Sequence, residues 1–152
     1  VIHRILPTNV VLSCMGVKMD NRCLFCLQEK DSIEHIMLWR CAYVNAFWTQ
    51  LQQLMREKCT HISSFTLNEV IVIFGNDSSF STDKTLDLII LLAKFYIYTC
   101  KMKEEIPQII AFKKILKARY EIEKYIAFIN LNSVKFHTNW HYYKQLMETG
   151  DE

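Results

Sequence analysis

The chain has 152 residues, enough for one domain or for one domain with a helical extension. Hydrophobic residues make up 51% and aromatics 12%, with only three Gly and two Pro, which excludes a disordered chain and favours helices over a turn-rich sheet. A net charge of +2, from 18 basic and 16 acidic residues, is too small to argue for nucleic-acid binding by the chain as a whole.

Val1 to Val17 carries apolar residues at Ile5, Leu6, Val10, Val11 and Met15, which predicts a helix with Pro7 near its start and Gly16 at its end. Lys18 to Lys30 reads as a polar loop. Asp31 and Glu34 have N-cap and N3 spacing, so a short helix is expected to begin at Asp31. Tyr43, Phe47, Leu51, Leu54 and Met55 recur at helical spacing and predict a helix over 42–58. Leu67 to Phe74 is a β-branched run with no partner strand, and it reads as a short helix. Gly75 to Thr82 is a loop, with Thr82 or Asp83 as the cap of a helix reaching Lys103. The apolar stretch inside that helix, Leu86 to Cys100, is shorter than the ~20 residues of a membrane span and is interrupted by Asp87 and Lys94, so it reads as a core helix and no membrane partner is expected. Pro107 opens the next helix, whose expected core face is Ile115, Ala118, Ile122, Ile126 and Ile129. Asn130 to Ser133 breaks it, and a last helix is expected over 138–148.

The chain is rich in chemistry at one place only. Cys23-x2-Cys26-x8-His35-x5-Cys41 puts four ligand-type residues within nineteen positions. A Cys-x2-Cys pair lets two thiolates reach one ion, and a tetrahedral ion then takes two more ligands from another element. His35, one turn into a capped helix, and Cys41, at or after its end, can supply them. Three thiolates and an imidazole form a closed structural set, so the expected cofactor is a structural Zn²⁺. Lys18, Arg22, Lys30 and Arg40 surround the site and would offset its negative charge. The simplest alternative is a set of reduced Cys and a helical His without metal. Cys14, Cys59 and His61 are alternative fourth ligands, while Cys100 reads as a core residue. The six Cys would also permit a disulfide framework, but no charged segment precedes an apolar leader, and the spacing suits metal in a reducing compartment. With Val at position 1, the chain reads as a piece of a longer polypeptide.

The expected fold class is mainly α: a helical domain with a small Cys-Cys-His-Cys zinc knuckle near the N-terminus. Residues 1–60 form the zinc-binding module, 61–148 a helical tail domain, and 149–152 a disordered end. No catalytic residue is expected. There is no Asp-Asp pair after an aromatic for a two-metal polymerase centre, no phosphate-cradling glycine loop, and no nucleophile beside a base.

Weaker signals concern nucleic acid. Between Lys101 and Lys144 the chain carries nine basic and four acidic residues, a balance of +5. Lys113, Lys117, Tyr120 and Lys124 fall on one helix face, where they could follow a phosphate backbone with help from Arg22 and Lys30. The alternative is a solvated face beside the Ile face. Phe136, Trp140, Tyr142 and Tyr143, with Lys135 and Lys144, could stack on unpaired bases or pack a terminal helix. His137 and His141 are one turn apart but lack a third ligand nearby. Trp39 and Trp48 are expected to pack beside the zinc.

These residues resemble the zinc-binding segment at the C-terminal end of LINE-type non-LTR retrotransposon reverse transcriptases. The resemblance is carried by Leu6-Pro7-Thr8, the Cys23–Cys26 pair, Asp31-Ser32-Ile33-Glu34-His35, Cys41 and Phe47-Trp48. Ala42 stands where the family often has Pro. Leu91 to Ile97 and Cys100-Lys101 resemble the helical tail that follows in vertebrate-type elements. The resemblance implies a non-catalytic segment that grips template RNA or target DNA during target-primed reverse transcription. It implies a parent polymerase domain N-terminal to this segment and an intracellular location, cytoplasmic and nuclear, as a ribonucleoprotein. Two other readings stay open: a zinc-stapled protein-interaction or scaffolding domain, and a decayed element fragment without activity.

Overall fold

A computed structural model describes residues 7–59, 64–75 and 83–147. Among them the regular elements are helical: α1 (Asn9–Cys14), α2 (Ile33–Met37), α3 (Ala42–Lys58), α4 (Glu69–Phe74), α5 (Lys84–Lys103), α6 (Ile109–Ile129), α7 (Ser133–Trp140) and a closing 3-10 turn (Lys144–Met147). The one extended feature among the described residues is an isolated antiparallel bridge between Arg22 and Lys30. None of the described helices is long and apolar enough to cross a membrane. Leu6, His61, Thr82 and the 149–152 end lie outside the described residues.

The chain divides into two compact units. One joins Val1–Thr49 to Lys94–Pro107, and the other joins Gln50–Ala93 to Gln108–Glu152. The division is not linear in sequence, because α3 and α5 each run from one unit into the other.

In the first unit, α1 is shorter than its apolar pattern suggests. Thr8 is its N-cap, accepting from the Val11 N–H, and Pro7 stands before the cap. Gly16, at φ 72, takes the left-handed conformation just past the C-cap Met15, where a residue with a Cβ is strained. The cap of α2 is Ser32, whose Oγ accepts from His35 N at 3.1 Å. Asp31, expected as that cap, is instead fully buried, with Oδ2 accepting from the Asn9 backbone N–H and from Lys101 Nζ. Its charge is spent on tertiary contacts one residue before the helix begins. On α3 the buried stripe within this unit is Val44, Phe47 and Trp48, while Tyr43 is 40% exposed. Phe47 packs against Tyr96 of α5 with ring centroids 5.6 Å apart.

In the second unit, Asp83 caps α5: its Oδ1 accepts from the N–H groups of Thr85 and Leu86. Gln108 precedes α6, and Asn130 ends it, with Leu131 at φ 54 turning the chain into α7. The last helix begins earlier than its sequence pattern suggests, at Ser133, and gives way to turns after Trp140. The core face of α6 also differs from the expected one. Phe112, Leu116, Tyr120 and Ala127 are buried, whereas Ile122, Ile126 and Ile129 are roughly half exposed. Apolar residues occur on both sides of this helix, so periodicity alone cannot choose between them; the aromatic side chains of α7 do. Tyr120 meets Phe136 and Trp140 with centroids 5.2 and 5.3 Å apart, and Trp140 Nε1 donates to Glu123 Oε2 at 3.0 Å.

Candidate metal centre

Three short backbone devices bring the ligands together. Cys23 and Cys26 lie on the loop closed by the Arg22–Lys30 bridge, where Cys23 N donates to the Glu29 carbonyl and Leu27 N to the Cys23 carbonyl. Leu27, at φ 57, turns the chain so that the N–H groups of Phe25 and Cys26 fold back onto the Cys23 sulfur. His35 sits one turn into α2, aimed by the Ser32 cap. Cys41 stands at the head of α3: its carbonyl accepts from Asn45 N, and the N–H groups of Tyr43 and Val44 reach its sulfur. Cys41 N also donates to the His35 carbonyl at 3.2 Å, tying the two ligands through the main chain.

The four ligand atoms lie within 4.8 Å of one another. Cys23 and Cys41 sulfurs are 3.9 Å apart, and Cys26 Sγ is 3.3 Å from His35 Nε2. A tetrahedral zinc with Zn–S near 2.3 Å and Zn–N near 2.0–2.1 Å has S···S edges of about 3.8 Å and S···N edges of about 3.6 Å. The observed spacings therefore fit the ion. Cys23 and Cys41 are fully buried, His35 is buried and Cys26 is half-buried, so solvent reaches the set only at Cys26.

The electrostatics agree with ligation. A hydrogen bond from Cys23, with the Val44 and Tyr43 N–H groups, outweighs burial and brings the Cys41 thiol down to about 7. The same bond, with burial, pushes Cys23 up, so one thiolate is favoured in the shared pair before a metal displaces the remaining protons. Burial lowers the His35 pKa and keeps its imidazole in the neutral, ligating form. The packing beside the cluster is aromatic: Trp48 is fully buried, its Nε1 donates to the Met37 carbonyl at 3.0 Å, and half-buried Trp39 stacks on it at 5.5 Å.

The alternative ligands stand apart. Cys14 is exposed, and Cys59 is buried, with burial raising its thiol to about 11. His61 is outside the described residues. No other cluster of three His, Cys, Asp or Glu ligands occurs among the described residues, so His137 and His141 form no second centre there.

Sequence reasoning missed Asp31 and Asn9 as supports of the centre. Asn9 Nδ2 donates to the Arg22 carbonyl at 2.8 Å, Asp31 N donates to the Asn21 carbonyl at 2.8 Å, and both side chains are buried. Only the pairing of α1 with the loop could reveal this, and a polar residue at a helix start carries no such signal.

The basic residues are dispersed. Arg22 is exposed and paired with Asp20 at 2.7 Å, and Lys30 is exposed. On α6, Lys117 and Lys124 are exposed and Lys113 half-buried, with Lys124 3.7 Å from Glu121. Tyr120, expected to interleave with them, is buried against α7. Phe136, Trp140 and Tyr143 are likewise core residues, leaving only Tyr142 of that aromatic group half exposed. Beside the lysines, a cleft of about 350 Å³ is lined by Glu121, Lys124, Tyr125, Phe128, Ser133, Phe136 and His137, so its one lysine stands beside a carboxylate.

Residues 1–48, which contain all four ligands, match the family described as zinc-binding in reverse transcriptase. Over this stretch the chain is similar to a reverse transcriptase zinc-binding segment, and structural zinc is the cofactor that family and cluster both support. No curated protein and no solved structure matches the chain. Zinc bound by Cys23, Cys26, His35 and Cys41 would have no coordination position left for a substrate, so what it supplies is folding energy.

Proposed function

We propose that this chain is a non-catalytic, nucleic-acid-binding zinc segment of a LINE-type reverse transcriptase, gripping template RNA or target DNA beside the parent polymerase domain. The observation that carries the reading is the coincidence of a complete Cys3His cluster with the stretch matching the reverse transcriptase zinc-binding family. The zinc knuckle would stiffen the first unit, and the grip itself would come from Arg22, Lys30, Lys113, Lys117 and Lys124. The cleft beside Lys124 adds exposed aromatic walls on which an unpaired base could stack. Residence with a ribonucleoprotein, in cytoplasm and nucleus, follows from the same family reading.

Backbone contacts of this kind read charge rather than sequence, so binding should be salt-sensitive and nearly indifferent to base order. The test replaces Lys113, Lys117 and Lys124 with Gln in the zinc-loaded chain and measures affinity for a single-stranded RNA at several salt concentrations. Each lost phosphate contact should flatten the slope of log affinity against log salt by about 0.7. An unchanged slope and affinity would remove the α6 lysines from the interface.

A further inference from the structure

The cleft beside Lys124 lies between α6 and α7, inside one compact unit. Glu121, Lys124, Tyr125 and Phe128 line it from α6, and Phe136 and His137 from α7. The four α6 residues span seven positions at helical spacing, so they share one side of that helix. The volume of about 350 Å³ is at the small end of ligand clefts, which run from about 300 to 1,000 Å³. Three rings contribute to its walls. Phe136 is buried, whereas Tyr125 and Phe128 are 65% and 72% exposed. Exposed rings around a cleft of this size suit a planar ligand, and an unpaired base stacks on such rings whatever its identity.

The polar groups state which base. The Glu121 carboxylate offsets the one lysine of the cleft, so a phosphate finds no net attraction there, and a base edge is the better match. The pair is loose: Lys124 Nζ is 3.7 Å from Glu121 Oε2, and both side chains are more than half exposed. Glu121 Oε1 has no hydrogen-bond partner among the described residues. An ammonium beside two carboxylate oxygens offers one donor and two acceptors. Guanine carries the complement on its Watson–Crick edge, where O6 accepts and N1–H and N2–H donate. Uracil matches at O4 and N3–H but sets its O2 against a carboxylate oxygen. Adenine and cytosine place an acceptor ring nitrogen where Glu121 needs a donor, and two opposed acceptors are both left unpaired.

We propose that the α6–α7 cleft binds an unpaired guanine of a single-stranded nucleic acid. Glu121 accepts from N1–H and N2–H, Lys124 donates to O6, and Tyr125 and Phe128 supply the stacking surface. This rests on the nucleic-acid reading and sharpens it at one nucleotide, since the lysines outside the cleft read charge alone.

The test uses the zinc-loaded chain and two labelled strands, a short oligouridine and the same strand with one central guanosine. The guanosine strand should bind about tenfold tighter. Glu121→Gln exchanges an acceptor for a donor and should bring the two strands level, by weakening the guanosine strand about tenfold. Lys117→Gln should weaken both strands by the same factor. Guanosine monophosphate, titrated into the isotope-labelled chain, should move the amide signals of Glu121, Ser133 and His137, and uridine monophosphate, which carries the same phosphate, should not. Equal affinity for the two strands overturns the proposal and leaves the lysine grip standing. So does a Glu121→Gln effect of equal size on both strands, which charge alone would produce. If neither strand binds, the nucleic-acid reading fails, and the monophosphates still decide the cleft: equal shifts from the two, or none, reject guanine.

Discussion

Lys101 Nζ lies 2.9 Å from Asp31 Oδ2, and the two side chains are 3% and 0% exposed. The same ammonium donates to the Pro7 carbonyl at 3.0 Å, and the same carboxylate oxygen accepts from Asn9 N. One ion pair therefore ties the entry to α1, the end of the Cys23–Cys26 loop and the last turn of α5. The pair is deep enough that neither charge can fall back on water if its partner is removed.

Lys101→Met should consequently destabilise the chain by about 3–5 kcal/mol, because it strands the Asp31 carboxylate in the interior. Adding Asp31→Asn to that variant should restore part of the loss, since the stranded charge goes with it. Urea denaturation of the four species, zinc-loaded, measures the coupling. A loss no larger than that of an exposed lysine would show that the pair is open to solvent.

Zinc removal should act on the first unit as a whole. Structural zinc contributes apparent binding energies of about 10–16 kcal/mol in small finger peptides at pH 7. Chelation, or Cys23→Ser and His35→Ala, should strip hydrogen-exchange protection from α1, α2, the start of α3 and the 94–103 end of α5 together. Amides of α6 and α7 should stay protected, because Phe112, Leu116, Tyr120, Phe136 and Trp140 form a core without metal. Uniform loss across all helices would instead make the chain one cooperative unit.

Ser32, rather than Asp31, caps α2. Ser32→Ala should cost about 1 kcal/mol and weaken zinc binding measurably, since the cap aims the His35 turn. Ser32→Asp should recover most of the loss. A competition assay with a chromophoric zinc chelator would show both effects; a silent Ser32→Ala would mean the metal alone holds His35.

Alkaline pH should destabilise the second unit through Tyr143. Its hydroxyl donates to the Asp83 carboxylate, and burial, followed by that hydrogen bond, raises its pKa well above the usual 10.0. The unfolded chain releases the proton near pH 10 while the folded chain keeps it, so the stabilisation is complete below about pH 10 and is lost as pH rises beyond it. Tyr143→Phe should flatten the fall in thermal stability above that pH. An unaltered slope would assign the effect to other tyrosines.

Much of this protein is local and was therefore legible. The zinc ligands sit in one short stretch, and the spacing of Cys23, Cys26, His35 and Cys41 states a tetrahedral donor set before any fold is known. The span of α3 and the stop at Gly16 follow from periodicity and backbone permissiveness in the same way. What lies between distant segments was not legible. Asp31 reads as a helix cap by its neighbours in sequence, yet its carboxylate is held by Asn9 N and by Lys101 from a distant helix, partners that no local pattern names. Tyr120 reads as part of the lysine stripe, and Phe136 and Trp140 read equally well as base-stacking or core residues; only the folding of α7 onto α6 made all three core. That packing also selected which apolar face of α6 is buried, leaving the isoleucine face outward: a helix with two apolar faces carries no information about which neighbour arrives first, so tertiary structure alone decides it.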